Sequence, residues 1–520
     1  MRSTQTSRGW RAKALAAAAT IAALSLLAAC SGGGGGDTGG TGEAVEGKTL
    51  VAAQPVDLAP SSFLKTTFGN ILAEYAVFET LTLISPESGE PEGVLASSWE
   101  IAPDQLSMDI TLRDDVTFHS GKKFTADDVI FTLEKVQDPA EGAANEVIAA
   151  NISAMDKISD TELKLTFAQP EVSMFDLFES MPIVNSESYA DNAAGEVVDG
   201  TGRFSWDKWT PGSTLELKKY DGYRDAANTT LAGIEVQVIA DASAMLSAVR
   251  SGSVQYAIGI PASDSTVLAQ DPAFALVKTG GSSESLAFDV TQAPFDKPEV
   301  RQAIAYAIDR DRINDQVYGG QSRPTDLFWK EASPGYDEEQ SNLYGYDMDK
   351  AAQLLASAGV SNTSFDLLAV NDPATLGAFQ IIQNSLAELG LNATVTAVDS
   401  ADYDQRKASG QMGAPVYLIG ATESQSPGAT LQTRVELRAE DNLTGFSSPE
   451  YTSLIQDVTT ATDPEVIREA LRAYNEYFLD QAFVLPIVQS QNISVRSSDV
   501  DGIGGTQAGF IRLDTASFTS

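Results

Sequence analysis

The chain is poor in the side chains that most chemistry uses. Among its 520 residues it has one cysteine, Cys30, and one histidine, His119. A lone thiol cannot close an internal disulfide, and so few soft ligands exclude a zinc or copper centre built from them. One histidine within a turn leaves no conventional Ser-His-Asp triad, and no G-x-S-x-G elbow or EF-hand calcium spacing occurs. A carboxylate-pair glycosidase is the enzyme class that composition alone leaves open. Basic residues are also scarce, 34 against 72 acids. A surface so acidic does not attract nucleic acid or anionic lipid.

Long apolar runs are missing too. The longest, Ala14 to Ala29, is alanine-rich and shorter than the roughly 20 residues that span a bilayer. It follows a basic start (Arg2, Arg8, Arg11, Lys13) and ends in small residues, the three parts of a secretory signal peptide. Leu27-Ala28-Ala29-Cys30 closes it and resembles the lipobox of bacterial lipoproteins, in which the cysteine is lipidated. The resemblance implies lipidation of Cys30 and removal of residues 1–29. Residues 30–47 then form a glycine-rich tether with almost nothing to bury, expected to remain disordered.

Without the four leader cations the 34 bases fall to 30 against 72 acids, a formal charge of −42. The acids are scattered, as on a solvated exterior. Apolar content of 43% with 8% aromatics is that of a globular body, and its length suggests two or three lobes. Lys48–Ala53 reads as a buried strand, and apolar positions at helical spacing from Ile71 to Leu81 predict a helix over 67–83. Residues 106–112 alternate as a half-buried strand does, and 163–167 form another. Thr125 and Asp128 make a capping box ahead of a helix with Val129, Leu133 and Val136 on one face. Asp296 and Glu299 are read as a second capping box, with Val300, Ala303, Ile304, Ala307 and Ile308 on the buried face. Helices over 347–358 and 376–389 stop at Gly359 and Gly390, and a strand follows at 393–398. Strand and helix alternate, which argues for α/β lobes.

VLASSWE, LRDDVTFHSGKKFTADDVIFTL, DGTGRFSWDKWTPGSTLELKKYDGY, IADASAMLSAVRSGSVQYA and LAFDVTQAPFDKPEVRQAIAYAIDRDRI follow one another along the chain. Together with YGYDMDKAAQLLASAG and FSSPEYTSLI they resemble the blocks of the family 5 solute-binding proteins, the extracytoplasmic peptide-, nickel- and oligosaccharide-binding subunits of ABC importers. The resemblance implies an α/β periplasmic-binding-protein fold of type II, the large three-domain, cluster C-like form with a hinged cleft. Domain I would comprise 48–88, 196–287 and 488–520, domain II 89–195, and domain III 288–487. It further implies a monomeric receptor without catalysis, metal or cofactor. Such a receptor would sit lipid-anchored on the outer face of the cell membrane and pass its ligand to a permease pair driven by cytoplasmic ATPases. An oligopeptide or dipeptide is the first expectation for the ligand, an oligosaccharide the second. A lipid-anchored hydrolase and a receptor feeding a signalling partner are the rivals from other classes.

In peptide-binding members, the segment matching 415–428 carries a tryptophan, then an aspartate that pairs with the peptide ammonium, then Asp-Pro. Here Ser426-Pro427 stands for Asp-Pro, Gly420 for the tryptophan, and Glu423 for the aspartate. Glu423 either holds a cationic ligand group or is one more surface acid. Trp329, Tyr403, Tyr417 and Arg434 are further ligand-binding candidates, the arginine for a carboxylate and the aromatics for side chains or sugar faces. His119, in a Phe-His-x-Gly turn, reads as structural.

Overall fold

The computed structural model describes residues 47–65, 68–85, 89–143, 145–422, 426–506 and 509–519. The leader, Cys30 and the glycine-rich tail therefore lie outside the described residues, as does Glu423.

The apolar run after Lys48 forms strand Thr49–Gln54, with Leu50, Ala52 and Ala53 fully buried. It runs parallel to Gly233–Val238 on one side and Tyr256–Ala257 on the other. A strand covered on both faces is apolar almost throughout, which is why this one reads so clearly. The letters from Gly42 to Thr49 spell G-x-x-x-x-G-K-T. A phosphate-binding loop needs a strand before that motif and a helix after it, whereas here Thr49 opens a strand.

An eleven-stranded sheet organises the body. From one edge it runs Leu391–Val398, Thr363–Val370, Val416–Thr422, Phe274–Phe288, Val484–Ser497, Tyr256–Ala257, Thr49–Gln54, Gly233–Val238, Thr214–Lys219 and Phe204–Thr210, with Arg323–Pro324 paired to Val484–Ser497. A separate antiparallel sheet orders Ala96–Ile101, Ser107–Leu112, Glu162–Phe167 and Ile152–Ser159. Within Ser107–Leu112, Met108, Ile110 and Leu112 face inward, as the alternation foretold. Helix Ala126–Gln137 begins at the expected Thr125–Asp128 capping box and buries Val129, Leu133 and Val136. Each such aliphatic side chain contributes about 1.5–3 kcal/mol by leaving water. Helix Met348–Ala358 is capped by Asp347 and stopped by Gly359 at φ 70°.

Two expectations fail. The segment 67–83 is not one helix: it holds a 3-10 turn, Phe68–Asn70, a short helix, Glu74–Val77, and the start of strand Thr82–Ile84. Leu72, Ala73, Tyr75, Ala76, Val77, Phe78 and Leu81 are all buried, so no water-facing side exists to make helical spacing informative. Gln54 also donates to the Gly69 carbonyl at 2.6 Å. Helix Pro298–Ala307 does bury Val300, Ala303, Ile304 and Ala307, but its cap position is Lys297 and no side chain caps it. Pro298 in the first turn, whose ring has no N–H to satisfy, starts the helix instead.

The interior falls into three cores. The first gathers Leu50, Phe78, Leu112, Leu133, Phe167 and Leu217 with Val500, Leu513 and Phe518 from the end of the chain. The second draws only on residues between Leu286 and Val488. A small third core joins Ala53, Met245 and Val254 to Val495. Strands Phe274–Phe288 and Val484–Ser497, paired antiparallel, run from the third core to the second. Their register shifts between Thr279 and Ser282. A Cβ on Gly281 would lie 2.6 Å from the Ser490 carbonyl oxygen, so only glycine lets the strands approach there. Among the described residues no helix is long and apolar enough to cross a membrane.

Candidate functional site

Three cavities that share wall residues lie where the second core faces the other two. One of about 370 Å³ is bounded by Val172 on one side and by Lys330, Ser333, Pro427 and Val458 on the other. Lys330 and Ala332 carry its wall into a second of about 350 Å³, lined also by Arg323, Glu331 and Gln489. Gln321, Ser322 and Ser490 continue into a third of about 540 Å³, where Gly259, Ile260 and Pro261 face Tyr318 and Asp372. Spaces of this size between two bodies suit a solute of several residues or rings.

The walls are tied together by helix Pro427–Thr433. The helix starts at Ser426, whose Oγ accepts the Ala429 N–H at 3.1 Å. The Ser426 N–H donates to Asp176 Oδ1 at 2.8 Å, and its Oγ lies 3.4 Å from Ser173 Oγ. Ala429 packs into the first core although the residues around it belong to the second. A Cβ on Gly428 would stand 3.0 Å from Ser173 Oγ, which keeps this approach open to glycine.

Two acids, Glu331 and Asp372, line these cavities, and others are desolvated within the body. Burial lifts Glu179, on helix Met174–Ser180, to about 8; neighbouring Asp176 adds to the rise, and the Ile84 N–H, donated to Oε1 at 3.2 Å, opposes it. Burial alone lifts Glu74 to about 8. Glu284, in register with Gly420 and Val488, is pushed to about 7, first by burial and then by the charge of Asp372. The Asp372 side chain accepts the N–H groups of Ala374 and Thr375, each at 3.0 Å. Among the described residues no group of three His, Cys, Asp or Glu side chains is placed to hold a metal.

His119 sits away from this region, its Nε2 2.9 Å from the Gly202 carbonyl and its Nδ1 accepting the Gly200 N–H at 3.4 Å. Of the residues singled out in the sequence, Trp329 is fully buried in the second core, donating to Asn475 Oδ1 at 2.7 Å and with its ring tilted against that of Phe328. Tyr403 is buried with its hydroxyl on the Leu418 carbonyl, and Tyr417 is buried with its hydroxyl 3.0 Å from the Leu443 carbonyl. Arg434 is the half-buried residue closing helix Pro427–Thr433. None of the four lines the three cavities. Glu423 lies outside the described residues, between Thr422 and Ser426. Sequence reading missed Asp176, Glu284, Asp372 and Gln489. Only Gln489 left a local trace: it interrupts the apolar run from Phe483 to Val488.

Residues 90–434 match the model of the bacterial extracellular solute-binding proteins, family 5. The glutathione-binding protein GsiB of Escherichia coli is 25% identical over 430 residues, covering 79% of this chain and 83% of the relative. The heme-binding protein A of Haemophilus influenzae is 25% identical over 486 residues, covering 87% and 88%. Among solved structures, the periplasmic binding protein DppA of Helicobacter pylori with peptide STSA superposes with a TM-score of 0.79 at 22% identity, over 92% of this chain and 99% of that one. The fold is thus the α/β periplasmic-binding-protein fold of the cluster C oligopeptide-binding type.

Proposed function

This chain belongs to family 5 of the bacterial extracellular solute-binding proteins, and from that premise we propose that it captures an oligopeptide or dipeptide between its cores and delivers it to a membrane permease. As a family 5 member it is the non-enzymatic, extracytoplasmic solute receptor of an ABC importer. The observation that carries the peptide reading is the chain of three cavities between the cores, which share wall residues and together are large enough for several residues. Relatives bearing the names of glutathione and heme, and a structure holding peptide STSA, set the range of solutes.

The partition into domains I, II and III at the boundaries given above is part of the proposal; the second core supports domain III, while residues of domains I and II share the first core. Strands Phe274–Phe288 and Val484–Ser497 act as the hinge, and ligand touching both sides shifts the population toward the closed form. Cys30 carries the lipid anchor, which keeps the body at the membrane. Glu423, which falls in the sequence between Thr422 and Ser426, takes the ligand's cationic group.

Native mass spectrometry of the purified body tests the ligand class, and titration with trialanine tests it in solution. A co-purifying peptide, or binding with a fall in the scattering radius of gyration, supports the reading. A co-purifying glycan with no response to trialanine overturns it.

A further inference from the structure

Gln489 lies on Val484–Ser497, opposite Ser283 on one neighbouring strand and Arg323 on the other. Its side chain is 6% exposed and lines the cavity of about 350 Å³. Neither its Nε2 nor its Oε1 has a hydrogen-bond partner among the described residues. Buried amides are almost always paired, because the groups lose water without replacement otherwise. This one holds an unpaired donor and an unpaired acceptor side by side, in a space reached from both neighbouring cavities.

We infer that Gln489 is a specificity-determining residue that pairs with the backbone of a peptide ligand. The inference rests on the peptide reading above. A side-chain amide offers an N–H and a C=O pointing the same way. In an extended chain, one residue presents its own N–H and C=O on one side, so the two match in a two-bond ring. The Gln489 Oε1 accepts the ligand N–H, and Nε2 donates to the ligand C=O. Such a contact ignores the ligand's side chain, so it fixes the register of a peptide and leaves its sequence free. Charge at that point is handled elsewhere: Arg323 and Glu331 stand 3.9 Å apart in the same cavity and offset one another.

The test compares trialanine with two analogues in which one or other peptide N–H is replaced by an ester oxygen. Wild-type protein should lose about tenfold in affinity for one of the two esters, since the ester oxygen faces the Gln489 oxygen and removes the donor. Gln489→Leu should bind trialanine about tenfold more weakly and no longer distinguish it from that ester. The same variant should melt no lower than wild type without ligand, because two buried unpaired groups are gone. Unchanged affinity in Gln489→Leu, or a wild type that binds both esters as well as trialanine, overturns the inference while leaving the peptide reading standing. A lower melting temperature with retained discrimination assigns Gln489 to packing and also overturns it. A wild type that binds none of the three overturns the peptide reading itself.

Discussion

The backbone N–H of Ser426 and the carboxylate of Asp176 meet at 2.8 Å across 250 residues of sequence. The bond joins a helix rooted in the first core to the start of a helix whose flanks belong to the second. A helix N-terminus favours an anion, and the Asp176 carboxylate stands at this one.

Asp176→Ala removes that link while leaving every cavity-lining side chain in place. A hydrogen bond to a charged acceptor contributes about 1.5–3 kcal/mol, so ligand affinity should fall on the order of tenfold or more. Scattering should show a larger radius of gyration at the same ligand concentration. An unchanged affinity and radius would mean that the contact does not hold the two sides together.

Glu74 and Glu179 give stability a pH dependence of definite sign. Both are raised from 4.5 to about 8, so the folded chain keeps protons that the unfolded chain has released. Their contribution is full below about pH 4.5 and is lost as pH rises through 8. Glu74→Gln removes the part due to Glu74. The variant should gain on wild type between pH 5 and pH 8, by an amount on the order of a few kcal/mol at most. A melting-temperature difference that stays constant over that range counts against the assignment.

His119 should be neutral in the folded protein, with its proton on Nε2. Burial pulls it below its ordinary 6.5, and the Gly200 N–H fixes Nδ1 as the acceptor. The sign here is opposite: the stability tied to neutral His119 is present above 6.5 and lost as pH falls. As the only histidine, it gives one set of ring nitrogen resonances. A midpoint above 6.5, or the Nδ1–H form, would contradict the placement.

Trp329→Phe separates packing from ligand contact. It leaves Asn475 Oδ1 buried and without its donor, a loss of about 1–3 kcal/mol of stability. Affinity for trialanine should stay within twofold, roughly, since the ring does not reach the cavities. A large affinity loss at unchanged stability would return Trp329 to the site.

Local chemistry made much of the fold readable in advance. Thr125 with Asp128, and Asp347 with Gly359, announce helix ends because caps satisfy backbone groups within a few residues. The alternation of Met108, Ile110 and Leu112 announces a one-sided strand. The stretch around Tyr75 resisted because its surroundings, not its spacing, decide its shape. The cavity walls resisted for a similar reason: Val172 meets Pro427, and Gly259 meets Asp372, only after the chain has folded. Gln489 stood out as a polar break in an apolar run, but its lack of a partner is a property of three strands together.

The two long strands also set an order of assembly. Residues 286–488 supply the whole second core, which can close as soon as they have emerged. The first core, begun at Leu50, still needs Val500, Leu513 and Phe518, and the third needs Val495. In a chain that emerges amino end first, the cores begun earliest would therefore be completed last. Their unfinished strand Thr49–Gln54 must wait, open to wrong partners, until the final residues arrive.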